Sequence, residues 1–87
     1  MKLDPAFIIY STKGEHYLVP TGGAKFKGIV KNNETAAFMV ECLKTDKTKD
    51  ELVQTVLDKY PGTDRKTVEG DVSDILNKLR SIGALIE

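Results

Sequence analysis

The hydrophobic period of the chain changes near residue 32, and that change restricts the possible folds more than any other feature. Before it, apolar residues come in short β-branched and aromatic runs: Phe7-Ile8-Ile9-Tyr10, Tyr17-Leu18-Val19 and Phe26-Lys27-Gly28-Ile29-Val30-Lys31. Such runs have the composition of strands. After it, apolar residues recur every three or four positions, the period of helices that bury one face. Lys13-Gly14-Glu15 separates the first two runs and supplies a hairpin turn, and Pro20-Thr21-Gly22-Gly23 makes a second turn. The spacing predicts a three-stranded antiparallel meander within residues 6–31, with an exposed edge.

Three helices follow, over 33–44, 49–60 and 64–82. Asn33 can cap the first, which carries Ala36, Met39, Val40 and Leu43 at helical spacing. Thr48-Lys49-Asp50-Glu51 is a capping box for the second, which runs through Leu52, Val53, Val56, Leu57 and Tyr60 to a stop at Pro61-Gly62. Asp64 or Thr63 can open the third, whose stripe is Val68, Val72, Ile75, Leu79 and Ile82, with Gly83 placed to end it in a left-handed conformation. Leu76 lies off that stripe and is a groove candidate. Gly70 inside this helix marks either a close backbone approach or a tolerated site that costs about 1 kcal/mol relative to Ala. Three strands bearing three helices make an α+β layer arrangement, and the order also describes a winged helix-turn-helix. With 87 residues and no internal repeat, the expectation is one domain over 1–87.

The chain is poor in residues that carry chemistry. It has one histidine, His16, and one cysteine, Cys42. No Cys/His set with metal-ligand spacing exists, so no metal is expected. Cys42 sits in the apolar stretch Phe38-Met39-Val40-Glu41-Cys42-Leu43, where a thiol acts as a small hydrophobe, and His16 lies in a charged, solvated turn. Gly22-Gly23 is followed by Ala24-Lys25-Phe26 and not by Gly-Lys-Ser/Thr, and no G-x-G-x-x-G occurs, so no nucleotide cofactor is expected. The carboxylates Asp50-Glu51 and Asp71 with Asp74 fall on polar helix faces. An enzyme is the weak hypothesis.

Charge narrows the partners. Thirteen basic and thirteen acidic residues give zero net charge, which argues against a dedicated binder of nucleic acid or anionic membrane. No apolar run approaches the roughly 20 residues of a membrane span. Met1-Lys2-Leu3-Asp4-Pro5 breaks before a signal-peptide core could form, and a lone cysteine suits a reducing cytoplasm.

Several segments in order carry a resemblance. Gly14-Glu15-His16-Tyr17-Leu18-Val19-Pro20 leads to Gly28-Ile29-Val30-Lys31-Asn32-Asn33-Glu34-Thr35-Ala36-Ala37-Phe38. Glu51-Leu52-Val53 and Leu57-Asp58-Lys59-Tyr60 precede Val68-Glu69-Gly70-Asp71-Val72, and Ile75-Leu76-Asn77-Lys78-Leu79 precedes Ile82-Gly83-Ala84-Leu85-Ile86-Glu87. In order and spacing, from about Tyr10 onward, this resembles the PqqD family. Asn32 departs from the pattern, standing where the family usually has an apolar residue, and Thr45-Asp46 replaces a frequent glycine. The resemblance implies a winged-helix-like recognition element for ribosomally synthesised, post-translationally modified peptides. Such an element holds the leader segment of a precursor peptide and presents it to a modifying enzyme, frequently a radical S-adenosylmethionine enzyme. It also implies that the leader adds as a strand beside the third strand and packs against the third helix. On this chain the peptide is then expected along Lys27, Gly28, Ile29, Val30 and Lys31, with apolar side chains entering a groove lined by Val68, Asp71, Val72, Ile75, Leu76 and Leu79.

The residues fit that role without requiring it. An unpaired strand edge can take a disordered peptide by β-augmentation, and Gly28 leaves room for a close approach. Lys25, Lys27 and Lys31 either attract acidic leader residues or simply guard the edge against aggregation. One rival is a DNA-binding winged helix, which would set Asp64, Glu69, Asp71 and Asp74 against phosphates beside Arg65, Lys66, Lys78 and Arg80. Another is a small scaffold or regulator with no peptide ligand. Whether the edge pairs two copies is left open.

Overall fold

The computed structural model describes residues 1–87. In chain order its elements are β1 (Lys2–Leu3), β2 (Phe7–Thr12), β3 (Glu15–Pro20), β4 (Val30–Asn32), α1 (Glu34–Cys42), α2 (Lys49–Lys59), α3 (Arg65–Ser81) and β5 (Leu85–Ile86). The result is an α+β fold, a three-stranded antiparallel sheet ordered β2-β3-β4 followed by three helices. Each helix starts where a local cap dictates. The Asn33 side chain accepts the Ala36 N–H, Thr48 and Glu51 form a reciprocal capping box, and Asp64 accepts the Thr67 N–H. These bonds satisfy donors that the first turn leaves without partners. Gly62 and Gly83, with φ of 90° and 72°, close the second and third helices.

The β2–β3 hairpin turns through Lys13 and Gly14, both at positive φ, as a two-residue turn between twisted strands requires. Its register pairs Tyr10 with Tyr17 and Ile9 with Leu18. Alternation sends Phe7, Leu18 and Val30 into the core and leaves Ile8 and Tyr10 on the outer face. The third strand is shorter than its sequence pattern predicts. It begins at Val30, not near Phe26, and pairs with β3 only over Val30–Asn32. In the segment before it, the Phe26 ring turns back over Gly28. A Cβ on Gly28 would come within 2.9 Å of that ring. The space at Gly28 therefore serves an intramolecular contact, which corrects the reading of that glycine as an opening for a partner.

β1 and β5 pair antiparallel as a second, two-stranded sheet that the local sequence pattern does not announce. Backbone bonds from Leu3 N–H to Leu43 O and from Asp4 N–H to Ala84 O tie it to the ends of α1 and α3. No helix is long and apolar enough to cross a membrane.

The buried apolar residues form one cluster, and α3 supplies Val68, Val72, Ile75, Leu76 and Leu79 to it. Leu76 is 2% exposed and belongs to the core, not to a groove. At about 100° per residue the buried arc of α3 spans roughly 100°, with Ile75 on one flank and Leu76 on the other. The Leu76 flank turns toward α2, as the Lys49 Nζ to Ser73 Oγ bond of 2.6 Å between those helices shows. A Cβ on Gly70 would meet nothing within 4 Å, so that glycine is a tolerated surface position rather than a backbone contact.

Exposed carboxylates couple this fold to pH. Glu15 is held below its ordinary value first by the Tyr17 hydroxyl and then by Lys31, Glu51 by its bonds with Thr48, and Glu87 by Arg80. A carboxyl whose pKa is lower folded than unfolded contributes stability above the unfolded value, and that contribution is lost as pH falls through the folded one. Urea midpoints are therefore expected to fall as pH drops below about 4.5. Glu51→Gln should flatten part of that decline. A midpoint that held steady through the carboxylate range would contradict the assignment.

Candidate functional site

β3 covers one side of β4, and no strand of the sheet covers the other. β4 therefore presents backbone groups without strand partners along its outer edge, and alternation turns the N–H and C=O of every second residue that way. β2 forms the opposite edge. What distinguishes β4 is the surface beside it.

Two hollows border α3, one on each side of β4 in sequence. The first, of about 300 Å3, joins Asn33, Thr35, Ala36 and Met39 at the start of α1 to Asp71, Asp74, Ile75 and Lys78 of α3. The second joins Lys25 and Phe26, just before β4, to Arg80, Ser81, Ile82 and Gly83 at the end of α3. β4 connects these flanking segments, and the two hollows follow one another along residues 71–83 of α3 as an elongated surface. Ala36, Met39 and Ile75 give the first hollow an apolar floor. The ion pairs of α3 are Arg65–Glu69 and Arg80–Glu87, which leaves Asp71, Asp74 and Lys78 around the rim without ionic partners. An extended chain with one apolar anchor fits such a surface by main-chain bonding and side-chain burial.

The structure distributes the expected site residues unevenly. Val30 and Lys31 lie on β4, whereas Lys27, Gly28 and Ile29 lie in the preceding loop. Ile29, 67% exposed, is the most accessible large apolar side chain. Lys31 points to the outer face of the sheet, where its Nζ stands 3.7 Å from Glu15, so its charge lies on that face. On α3, Asp71 and Ile75 line the hollow, while Val68, Val72, Leu76 and Leu79 are core. Asn33, Thr35, Ala36, Met39, Asp74 and Lys78 were not anticipated. A signal for part of this set exists in the sequence, since Asp71, Asp74, Ile75 and Lys78 follow the i, i+3, i+4, i+7 spacing of one helix flank.

His16 and Cys42 are not brought into one cleft. His16 Nδ1 is 2.8 Å from Ser11 Oγ and lines a different hollow with Ile9, Phe38 and Tyr60, among others. Cys42 is half-buried, and burial pushes its thiol pKa up, away from the thiolate that nucleophilic chemistry needs. No group of three or more His, Cys, Asp or Glu side chains is arranged to hold a metal ion.

Two solved structures share this arrangement of elements. TbiB1 in complex with the TbiA(beta) leader peptide superposes with a TM-score of 0.78 at 24% identity, over 98% of this chain and 94% of that one. Lasso peptide synthetase B1 complexed with the leader peptide superposes with a TM-score of 0.75 at 20% identity, over 99% of this chain and 96% of that one. At these identities the likeness shows a common fold. No curated protein matches the sequence. A family model does, and it spans β3, β4, all three helices and the start of β5. Over residues 10–85 the chain matches the model of coenzyme PQQ synthesis protein D, and it belongs to the PqqD family.

Proposed function

We propose that this protein binds the leader segment of a ribosomally synthesised precursor peptide and presents it to a modifying enzyme of the radical S-adenosylmethionine class. The leader adds as a strand to the open edge of β4, against the backbone of Val30, Lys31 and Asn32. An apolar side chain enters the hollow floored by Ala36, Met39 and Ile75, with Asp71, Asp74 and Lys78 at its rim. The protein contributes binding and orientation in the cytoplasm, and the enzyme contributes the chemistry. The observation that carries this reading is an unpaired strand edge whose last residue leads directly into Asn33, which lines an apolar-floored hollow on α3. The two solved structures of the same fold, each holding a leader peptide, support it.

Strand addition has a measurable signature. Backbone amides that face the open edge exchange with solvent until a peptide strand bonds them. With a synthetic leader from a precursor encoded beside this protein's own gene, amide exchange is expected to slow at alternate residues of 29–33 and along 71–78 of α3. Protection confined to α2, with β4 unchanged, would overturn the mode of binding.

A further inference from the structure

Asn32 is the one polar residue among the buried ones, 8% exposed, and its carboxamide bonds to nothing in the chain. Every fully sealed side-chain nitrogen or oxygen has a partner, so the polar end of Asn32 is not sealed and opens at the surface. β3 covers one flank of the residue through its pairing with His16, and α1 begins two residues later. On its other edge β4 has no neighbouring strand.

We propose that Asn32 is a specificity-determining residue of the peptide groove. Its carboxamide hydrogen-bonds a polar side chain of the bound strand, at the position directly across from it. The inference rests on strand addition to β4. Directly opposed side chains on neighbouring strands have Cβ atoms about 4.5–5.5 Å apart, within reach of an amide. Val30 lies two residues earlier on the same face and is apolar. The peptide that fits therefore carries a hydrogen-bonding residue and an apolar residue separated by one position. The amide both donates and accepts, so Ser, Thr, Asn, Gln or a carboxylate can fill the polar position. Leucine has the same branched shape as asparagine without its polar atoms. With the groove empty, water bonds the exposed end of this amide, and a polar partner that arrives with the ligand replaces that water.

The test is selection of random linear peptides from a phage-displayed library on the full chain and on its Asn32→Leu variant. The wild type is expected to enrich the polar and apolar pair at the stated spacing. Asn32→Leu is expected to replace the polar preference with an apolar one and to keep the other position. A synthetic wild-type-selected peptide, with its polar residue changed to Leu, should lose about 10-fold in affinity for the wild type and nothing for the variant. Asn32→Asp, which keeps the shape and only accepts, should shift the polar position to donors such as Lys, Arg, Ser and Thr, and supports the inference even if the Leu variant misfolds. If wild type and variants enrich one consensus, Asn32 plays no part and the inference fails while strand addition stands. If the wild type enriches no peptide, strand addition itself fails, and this inference with it.

Discussion

Leu76→Ala is expected to destabilise the protein by about 2–5 kcal/mol and to leave the affinity of the remaining folded molecules for a leader peptide unchanged. The side chain is 2% exposed and lies on the α2 side of α3, across the helix from the hollow that Asp71, Asp74 and Lys78 line. Truncating it removes buried apolar atoms and leaves a cavity that the neighbouring helices fill only in part. A domain of this size is stable by about 4–13 kcal/mol in all, so the loss brings the chain close to unfolding. Leu79→Ala should behave alike. Chemical denaturation gives the stability, and titration with peptide, at a temperature where the variant is folded, gives the affinity. A variant of wild-type stability with weakened binding would place Leu76 in the groove after all.

The misreading of Leu76 shows where local pattern stops being informative. A stripe of steps of four and three identifies one buried face, but α3 packs between α2 and the start of α1, and a helix with neighbours on both sides buries a wider arc. Leu76 lies at the edge of that arc, where a single-face pattern assigns it to solvent. The helix boundaries, by contrast, were legible to within two residues, because Asn33, the Thr48–Glu51 box, Asp64 and Gly83 act within one turn of the ends they fix.

Strands depend on partners far away in sequence, and they were read less well. Phe26-Lys27-Gly28-Ile29-Val30 has strand composition, yet β3 ends at Pro20, whose partner across the hairpin is Phe7 in β2. Only Val30–Asn32 find partners on β3's other side. The two-residue strands β1 and β5 carry no periodic signal and exist through pairing between opposite ends of the chain. The candidate site inherits both effects. The sequence pattern places the third strand slightly early, and Ala36 and Met39 have the spacing of ordinary core residues, so the α1 wall of the hollow carries no separate signal. Of the positive charges near the strand, Lys31 stands beside Glu15 on the outer face, whereas Lys25 lines the hollow at the end of α3.

Of Val30→Pro and Lys31→Pro, one is expected to weaken leader binding strongly at near-native stability and the other to damage the sheet. In an antiparallel ladder adjacent residues turn their N–H groups to opposite sides, so one of these two faces β3 and the other the open edge. Proline removes the N–H wherever it stands and is tolerated where that group meets solvent. At the outward position the variant keeps its ladder but loses a donor to the peptide and places a ring in the peptide's path, for a loss of about 10–100-fold in affinity. At the inward position a β3 carbonyl loses its partner, which costs about 1–3 kcal/mol. Val30 is also buried, so Val30→Ala measures the side-chain part of any loss there. Proline variants that both bind normally would exclude β4 as the docking edge. The complementary experiment leaves the protein intact: N-methylation at successive positions of the leader should weaken binding at every second residue, because only alternate peptide N–H groups can face β4. An effect without that period of two would mean that the peptide does not lie on the edge as a strand.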